Sequence, residues 1–325
     1  MKRIVITGAN GFVGSSLANK LLKSGNEVTC LVRSGSNTKL LENKKNILYI
    51  NYKNVNEIKE IIKDKDVLIH TAALTRARNW SKFQKINIDL TESLLEICNT
   101  SNVKQFIFLS SQAVSGPAEN ENSGRIEKET PSPITMYGKS KLKAEQIIQK
   151  SAKMPWTIIR PVSVYGTGDK DFLILFKMVK NHIVFLNSFK SKYLNLIYID
   201  ELTELIERTI NNKDAYNEIF FAANPRKLEN TELHKLIGEA LNKKTITIKI
   251  PEFILYPIAI ILELVSSIFK TRFPILNKDK VKVFKQDYWI VDTNKVKKKL
   301  KIEFKDEYLL NFKKTYKWYK DKGWI

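Results

Sequence analysis

Residues 1–14 read MKRIVITGANGFVG, and this stretch decides the fold. Ile4, Val5 and Ile6 form a short β-branched run ending at Thr7, the pattern of a strand buried on both faces of a parallel sheet. Gly8, Gly11 and Gly14 follow at the spacing of a turn that cradles a pyrophosphate. The first permits the tight turn, the second lets backbone approach the phosphates, and the third lets the next helix pack close. A helix is predicted to start near Phe12 and run through Leu17, Ala18, Leu21 and Leu22, its N–H groups and dipole turned to the phosphates. A glycine triplet alone says little; between a strand and a helix it has the context that the motif requires.

Working outward, strand-like runs alternate with helical patterns through the first half, which predicts βαβ units and a parallel sheet. The runs are Glu27 to Arg33, Ile47 to Ile50, Val67 to His70, Gln105 to Leu109, Trp156 to Arg160, and Asn217 to Ala222 as the last strand. A helix is expected from about Trp80 to Thr100. Gly116 to Pro133, polar and without an apolar period, reads as an exposed flap. Asp171 to Lys192 breaks the alternation and Leu196 to Ile199 resumes it, leading into a helix through about Ile210. Beyond 222 the chain turns to helices with basic stretches and an aromatic, amphipathic tail from Leu309 to Trp324. The fold class is therefore α/β: a doubly wound parallel sheet with a smaller, mainly helical C-terminal domain. Residues 1–170, completed by about 196–222, would bind the dinucleotide, and 171–195 with 223–325 the substrate.

The 325 residues suffice for a large core, and a hydrophobic fraction of 43% argues against disorder. The formal charge of +21 is scattered along the chain with no nucleic-acid-binding signature beside it, so no nucleic-acid partner is expected. Cys30 and Cys98 make neither a disulfide framework nor a metal set, and a strand directly after Met1 leaves no room for a signal peptide, so a cytoplasmic protein without metal is expected. The longest apolar run, Phe253 to Phe269, is short of the ~20 residues that span a bilayer. A buried or half-buried helix is the favoured reading. Its flanks Lys249, Lys270 and Arg272 keep open a peripheral membrane contact through 251–272.

Three residues carry candidate chemistry: Ser111 after a strand end, and Tyr137 with Lys141, four apart and so on one face of a predicted helix. A phenol with a pKa near ~10 is a poor base at neutral pH, but a nearby ammonium favours the phenolate. Such a tyrosine can exchange a proton with a secondary alcohol while a serine hydroxyl holds the same oxygen and a nicotinamide exchanges hydride. At the end of the second strand, where Asp or Glu would hold the ribose 2′-hydroxyl of NAD, stands Arg33, followed by Ser34 and Ser36. A guanidinium suits a 2′-phosphate, so NADP(H) is favoured and NAD(H) remains open. His70, at a strand end, has no His or Cys partner in sequence and reads as structural.

TGANGFVG, FLSS, YGKSK and RPVSVYG, in that order and at these separations, resemble the extended short-chain dehydrogenases/reductases, the NAD(P)-dependent epimerase/dehydratase family. The resemblance covers essentially the whole chain. It implies a Rossmann core, an active site between core and substrate domain, Ser111 as the catalytic hydroxyl, Tyr137 as acid/base and Lys141 as the lysine that also binds the nicotinamide ribose. It implies further that Gly8, Gly11, Phe12, Val13 and Gly14 form the pyrophosphate loop, and that Ala72, Ala73, Asn87, Ser110 and Pro161 lie at cofactor contacts. The family often dimerises, so a homodimer stays open.

The departures point to the substrate. Asn51-Tyr52 stands where the family usually has an adenine-side Asp, and Leu90 where a glycine is common. Leu194 stands where sugar-nucleotide members usually carry a diphosphate-clamping Arg, with Lys190 and Lys192 as candidate replacements. With the apolar run 253–269, this favours a hydrophobic small-molecule ketone or alcohol: lipid, steroid-like or polyketide. A nucleotide-sugar 4-epimerase or dehydratase is the alternative, and a non-catalytic dinucleotide sensor is the reading from another class.

Overall fold

A computed structural model describes residues 1–186, 189–269 and 273–325. Strands Arg3–Thr7, Glu27–Arg33, Ile47–Ile50, Val67–His70, Gln105–Leu109, Trp156–Pro161 and Glu218–Ala222 form one sheet. All its pairings are parallel. Counted in chain order, they lie 7-6-5-4-1-2-3 across the sheet, so the order reverses between the first and fourth strands. Thr7 is level with Leu31 on one side and His70 on the other, and His70 with Phe108. The carboxyl ends therefore open together on one crevice, at the switch point where such sheets bind ligands.

β-branched and aromatic runs make these strands because both sheet faces are covered. One face, with Ile4, Ile6, Cys30 and Ile69, packs under helices Phe12–Lys23 and Ile199–Thr209. The other, with Val5, Leu31, Leu68 and Phe106, packs under Val55–Ile62, Leu90–Asn99 and Met136–Ser151. A third, aromatic cluster joins helices Phe172–Lys180, Asn230–Leu241 and Tyr308–Asp321, with the Tyr165 and Phe312 rings 4.8 Å apart. Val291, Val296, Leu300 and Ile302 return from the C-terminal part to the core beside the sheet.

Four expectations need correction. Leu196–Tyr198 does not extend the main sheet; it pairs with Ser163–Tyr165 in a separate ribbon, because Glu218–Ala222 already occupies the place beside Trp156–Pro161. Residues 116–133 are no free flap. Ala118 N–H donates to the Tyr288 carbonyl, Arg125 N–H to that of Ile290, and Phe221 N–H to the Glu127 carboxylate. Two of these ties join backbone to backbone and the third uses a carboxylate, so none leaves an apolar period to read. The helix from Trp80 is interrupted by a π-helical stretch, Gln84–Asp89.

Finally, the apolar run forms helix Glu252–Ile268 but buries only Leu255, Ala259 and Ser266. Lys278–Phe284 packs against it and offers a narrow strip around Val281. Residues 270–272, part of its expected basic flank, lie outside the described residues.

Candidate active site

The glycine turn is built as its spacing demands. Gly8 has φ +69°, and a Cβ there would stand 2.6 Å from Ala72 Cα. A Cβ on Gly14 would drive into the Gly8 carbonyl oxygen and lie 2.8 Å from Thr71 Oγ1. Gly11 N–H donates to the Gly8 carbonyl at 2.9 Å, closing the turn. Helix Phe12–Lys23 starts with no side-chain cap and no acid in its first turn. Its leading N–H groups, those of Phe12 and Val13 included, thus face the crevice with the positive end of the dipole, a donor set that fits a dinucleotide pyrophosphate.

Arg33 ends its strand exposed to solvent. Beside it the Tyr52 hydroxyl donates to the Leu31 carbonyl at 3.2 Å. Burial pushes the Tyr52 phenol up to about 12, opposed by the Gly8 N–H and the Arg33 guanidinium. Tyr52 thus links the third strand's end to the glycine turn and to Arg33. A tyrosine in the place of an expected acid was the visible signal; its destination was not.

Ala72 touches Gly8, and Ala73 beside it is exposed. From this loop a hydrogen-bonded chain reaches the helix that carries Tyr137. Asn87, buried within the π-helical stretch, accepts from Leu74 N–H at 2.7 Å and donates to the Leu74 carbonyl at 2.9 Å and the Ser140 hydroxyl at 2.8 Å. Ser140 donates in turn to the Tyr137 carbonyl at 2.7 Å. Asn87 therefore spends its amide on holding loop and helix in register.

Tyr137 and Lys141 sit in the first turns of Met136–Ser151, whose start is fixed by Thr135, accepting from Gly138 N–H, and by Asp279, accepting from Met136 N–H at 2.7 Å. Ser111 lies beside the Tyr137 phenol, within reach of it. Burial pushes the phenol up to about 12, and Ser111 opposes the shift. Burial also brings the Lys141 ammonium down to about 7, opposed by Glu145. Lys141 Nζ lies 3.7 Å from the Phe108 ring centroid. The lowered phenol expected from a neighbouring ammonium is thus outweighed here by burial of both groups.

His70 is wholly buried between the Thr7 and Thr91 hydroxyls, at 2.6 and 3.0 Å, and burial, helped by Lys141, brings it down to about 3. It stands outside proton chemistry at neutral pH. Ser110 donates its hydroxyl to Glu145, beneath the site, and buried Pro161 closes the sixth strand opposite Ala222. Lys192 is no diphosphate clamp: it is buried in ion pairs with Glu252 at 2.6 Å and Asp287 at 3.4 Å.

The NAD dependent epimerase/dehydratase family model matches residues 4–220, and the chain belongs to that family. It is an enzyme of the extended short-chain dehydrogenase/reductase type. Similar proteins include the sterol-4-alpha-carboxylate 3-dehydrogenase, decarboxylating, of Dictyostelium discoideum, 27% identical over 92% of this chain and 95% of the relative. The UDP-glucose 4-epimerase of Vibrio cholerae is 29% identical over 77% of this chain and 79% of the relative. Among solved structures, MoeE5 in complex with UDP-glucose and NAD superposes with a TM-score of 0.77 at 19% identity, covering 98% of this chain and 99% of the other.

Proposed function

We propose that the protein interconverts a secondary alcohol and a ketone on a hydrophobic small molecule, using NADP(H). In this reading 1–170 with about 196–222 binds the dinucleotide, and 171–195 with 223–325 binds substrate. The observation that carries it is the placing of Ser111 beside the buried Tyr137 phenol, with Lys141 one turn on along the same helix, at the crevice of an uncapped glycine-turn helix. When bound, the cofactor supplies or accepts hydride at the carbinol carbon. Tyr137 gives a proton to the substrate oxygen or takes it away, Ser111 hydrogen-bonds that oxygen, and the Lys141 ammonium favours the phenolate when the proton has left. Arg33 supports the 2′-phosphate form through a charge-assisted pair. Leu194 and the engaged Lys192 favour a substrate without a nucleoside diphosphate.

A second reading, a nucleotide-sugar 4-epimerase or dehydratase, draws support from the Vibrio cholerae relative. In that case hydride returns to the substrate, and NADPH absorbance stays constant during turnover. Net NADPH consumption with a hydrophobic ketone supports the first reading. Tyr137→Phe should lower kcat by ~10²–10⁴ with NADPH affinity retained; unchanged turnover would overturn the role given to Tyr137.

A further inference from the structure

Sixteen of the twenty-two exposed large apolar side chains among the described residues fall in two stretches, 183–189 and 246–275. Helix Glu252–Ile268 contributes most of them: Phe253 is 75% exposed, Ile261 58%, Leu264 57% and Ile268 73%. Strand Ile246–Lys249, which leads into this helix, adds Ile246 and Ile248, and its partner Ile183–Leu186 adds Ile183 and Phe185. Apolar exposure concentrated in this way is rare on a surface that meets only water.

The charges around the face are one-sided. The described residues of 243–285 hold seven basic and three acidic side chains, and each acid is occupied. Glu252 pairs with Lys192; Glu263 accepts from Lys278 N–H at 2.8 Å; Asp279 pairs with Lys282 at 3.0 Å and accepts from Met136 N–H. Exposed Lys249 and Lys285 lie over the Phe189 and Tyr256 rings at the start of the helix.

Helix Glu252–Ile268 and its neighbour Lys278–Phe284 both border the crevice. Arg78, in the loop after Ala72-Ala73, donates to Ser266 Oγ at 3.1 Å, and Asp279 fixes the residue before Tyr137.

We propose that helix Glu252–Ile268, with the edge formed by Ile183–Leu186 and Ile246–Lys249, docks in the interface of an anionic lipid bilayer, its axis in the membrane plane, and holds the Tyr137 crevice against the lipid surface. Among the described residues no helix is long and apolar enough to cross a membrane, and 17 residues of apolar helix with basic surroundings suit the head-group boundary. Charge complementarity selects this occupant. Two copies meeting through the face would bring their basic rims together, whereas anionic head groups neutralise them.

The test is co-sedimentation of the full chain with phosphatidylcholine vesicles, with and without phosphatidylglycerol, at low and high salt. Wild type should bind the anionic vesicles at least tenfold more tightly than the neutral ones, and less tightly as salt rises. Ile261→Glu with Leu264→Glu, on solvent-exposed positions, should weaken binding at least tenfold while Tm and NADPH affinity hold. Lys249→Glu with Lys285→Glu should weaken binding to the anionic vesicles and leave the neutral ones unchanged. Tyr137→Phe should bind vesicles like wild type, which keeps docking and turnover separate. Wild type remaining in the supernatant with every vesicle would overturn the proposal. A dimer in solution that Ile261→Glu with Leu264→Glu converts to monomer, without vesicle binding, would assign the face to a second copy instead.

Discussion

Glu145 and Arg160 close a two-point ion pair in the interior, Arg160 Nε to Glu145 Oε1 at 3.0 Å and Nη2 to Oε2 at 2.6 Å. Glu145 lies one helical turn beyond Lys141, and Arg160 near the end of the strand beside the one that leads to Ser111. The pair therefore joins the helix of Tyr137 to the sheet of Ser111. Ser110 donates to the same carboxylate, and the remaining arm of Arg160 donates to Ser115 at 3.2 Å. Every polar atom of the pair is used, which is what a buried charge requires.

Arg160→Met should destabilise the protein by about 3–5 kcal/mol, because it strands a carboxylate that is buried to the last atom. Adding Glu145→Leu to it should recover part of that loss, since the stranded charge goes too. Urea unfolding of the single and double variants measures both. A single variant within about 1 kcal/mol of wild type would show the pair contributes little to stability.

Gly14→Ala should lower dinucleotide affinity at least tenfold and reduce Tm. The added methyl meets the Gly8 carbonyl oxygen, a backbone atom that moves only with the turn itself. The checks are NADPH titration by fluorescence and a thermal melt. Gly25→Ala, at a glycine with open space around it but φ +76°, should cost some stability from strain and leave affinity unchanged.

What could be read from the sequence was what is local to it. The strand, glycine turn and helix of residues 3–23 announce themselves in consecutive residues, and YGKSK places Tyr137 and Lys141 on one helix face through spacing alone. The supports of that helix could not be read this way. Asp279 reaches it from 143 residues away, and Arg160 and Asn87 belong to other elements. The exposure of helix Glu252–Ile268 is hidden from the sequence for a related reason. A run apolar on all sides has no period, so its sequence cannot say which face is covered or whether any is.

Arg33→Asp should lower the NADP-to-NAD affinity ratio more than tenfold, by removing the guanidinium at the ribose end of the second strand and offering a carboxylate that repels a 2′-phosphate. Isothermal titration with both dinucleotides tests it. An unaltered ratio would free Arg33 of any part in cofactor choice and leave Tyr52 as the nearer determinant.

The pH dependence of stability should carry the signature of Lys141. Burial, against the pull of Glu145, brings its ammonium down to about 7 in the folded, cofactor-free protein. The unfolded chain keeps that proton to about 10.4. Below about pH 7 both states hold the proton, and the cost of burying the charge is fully present. Between there and about 10 the unfolded state binds more protons than the folded one, so stability rises with pH across this window. Lys141→Met removes the titrating group while keeping an unbranched stem against Phe108. Urea midpoints of wild type should therefore climb relative to the variant from pH 7 to 9.5 without cofactor; parallel curves would mean that Lys141 keeps its proton throughout, with an ammonium already charged when the dinucleotide arrives.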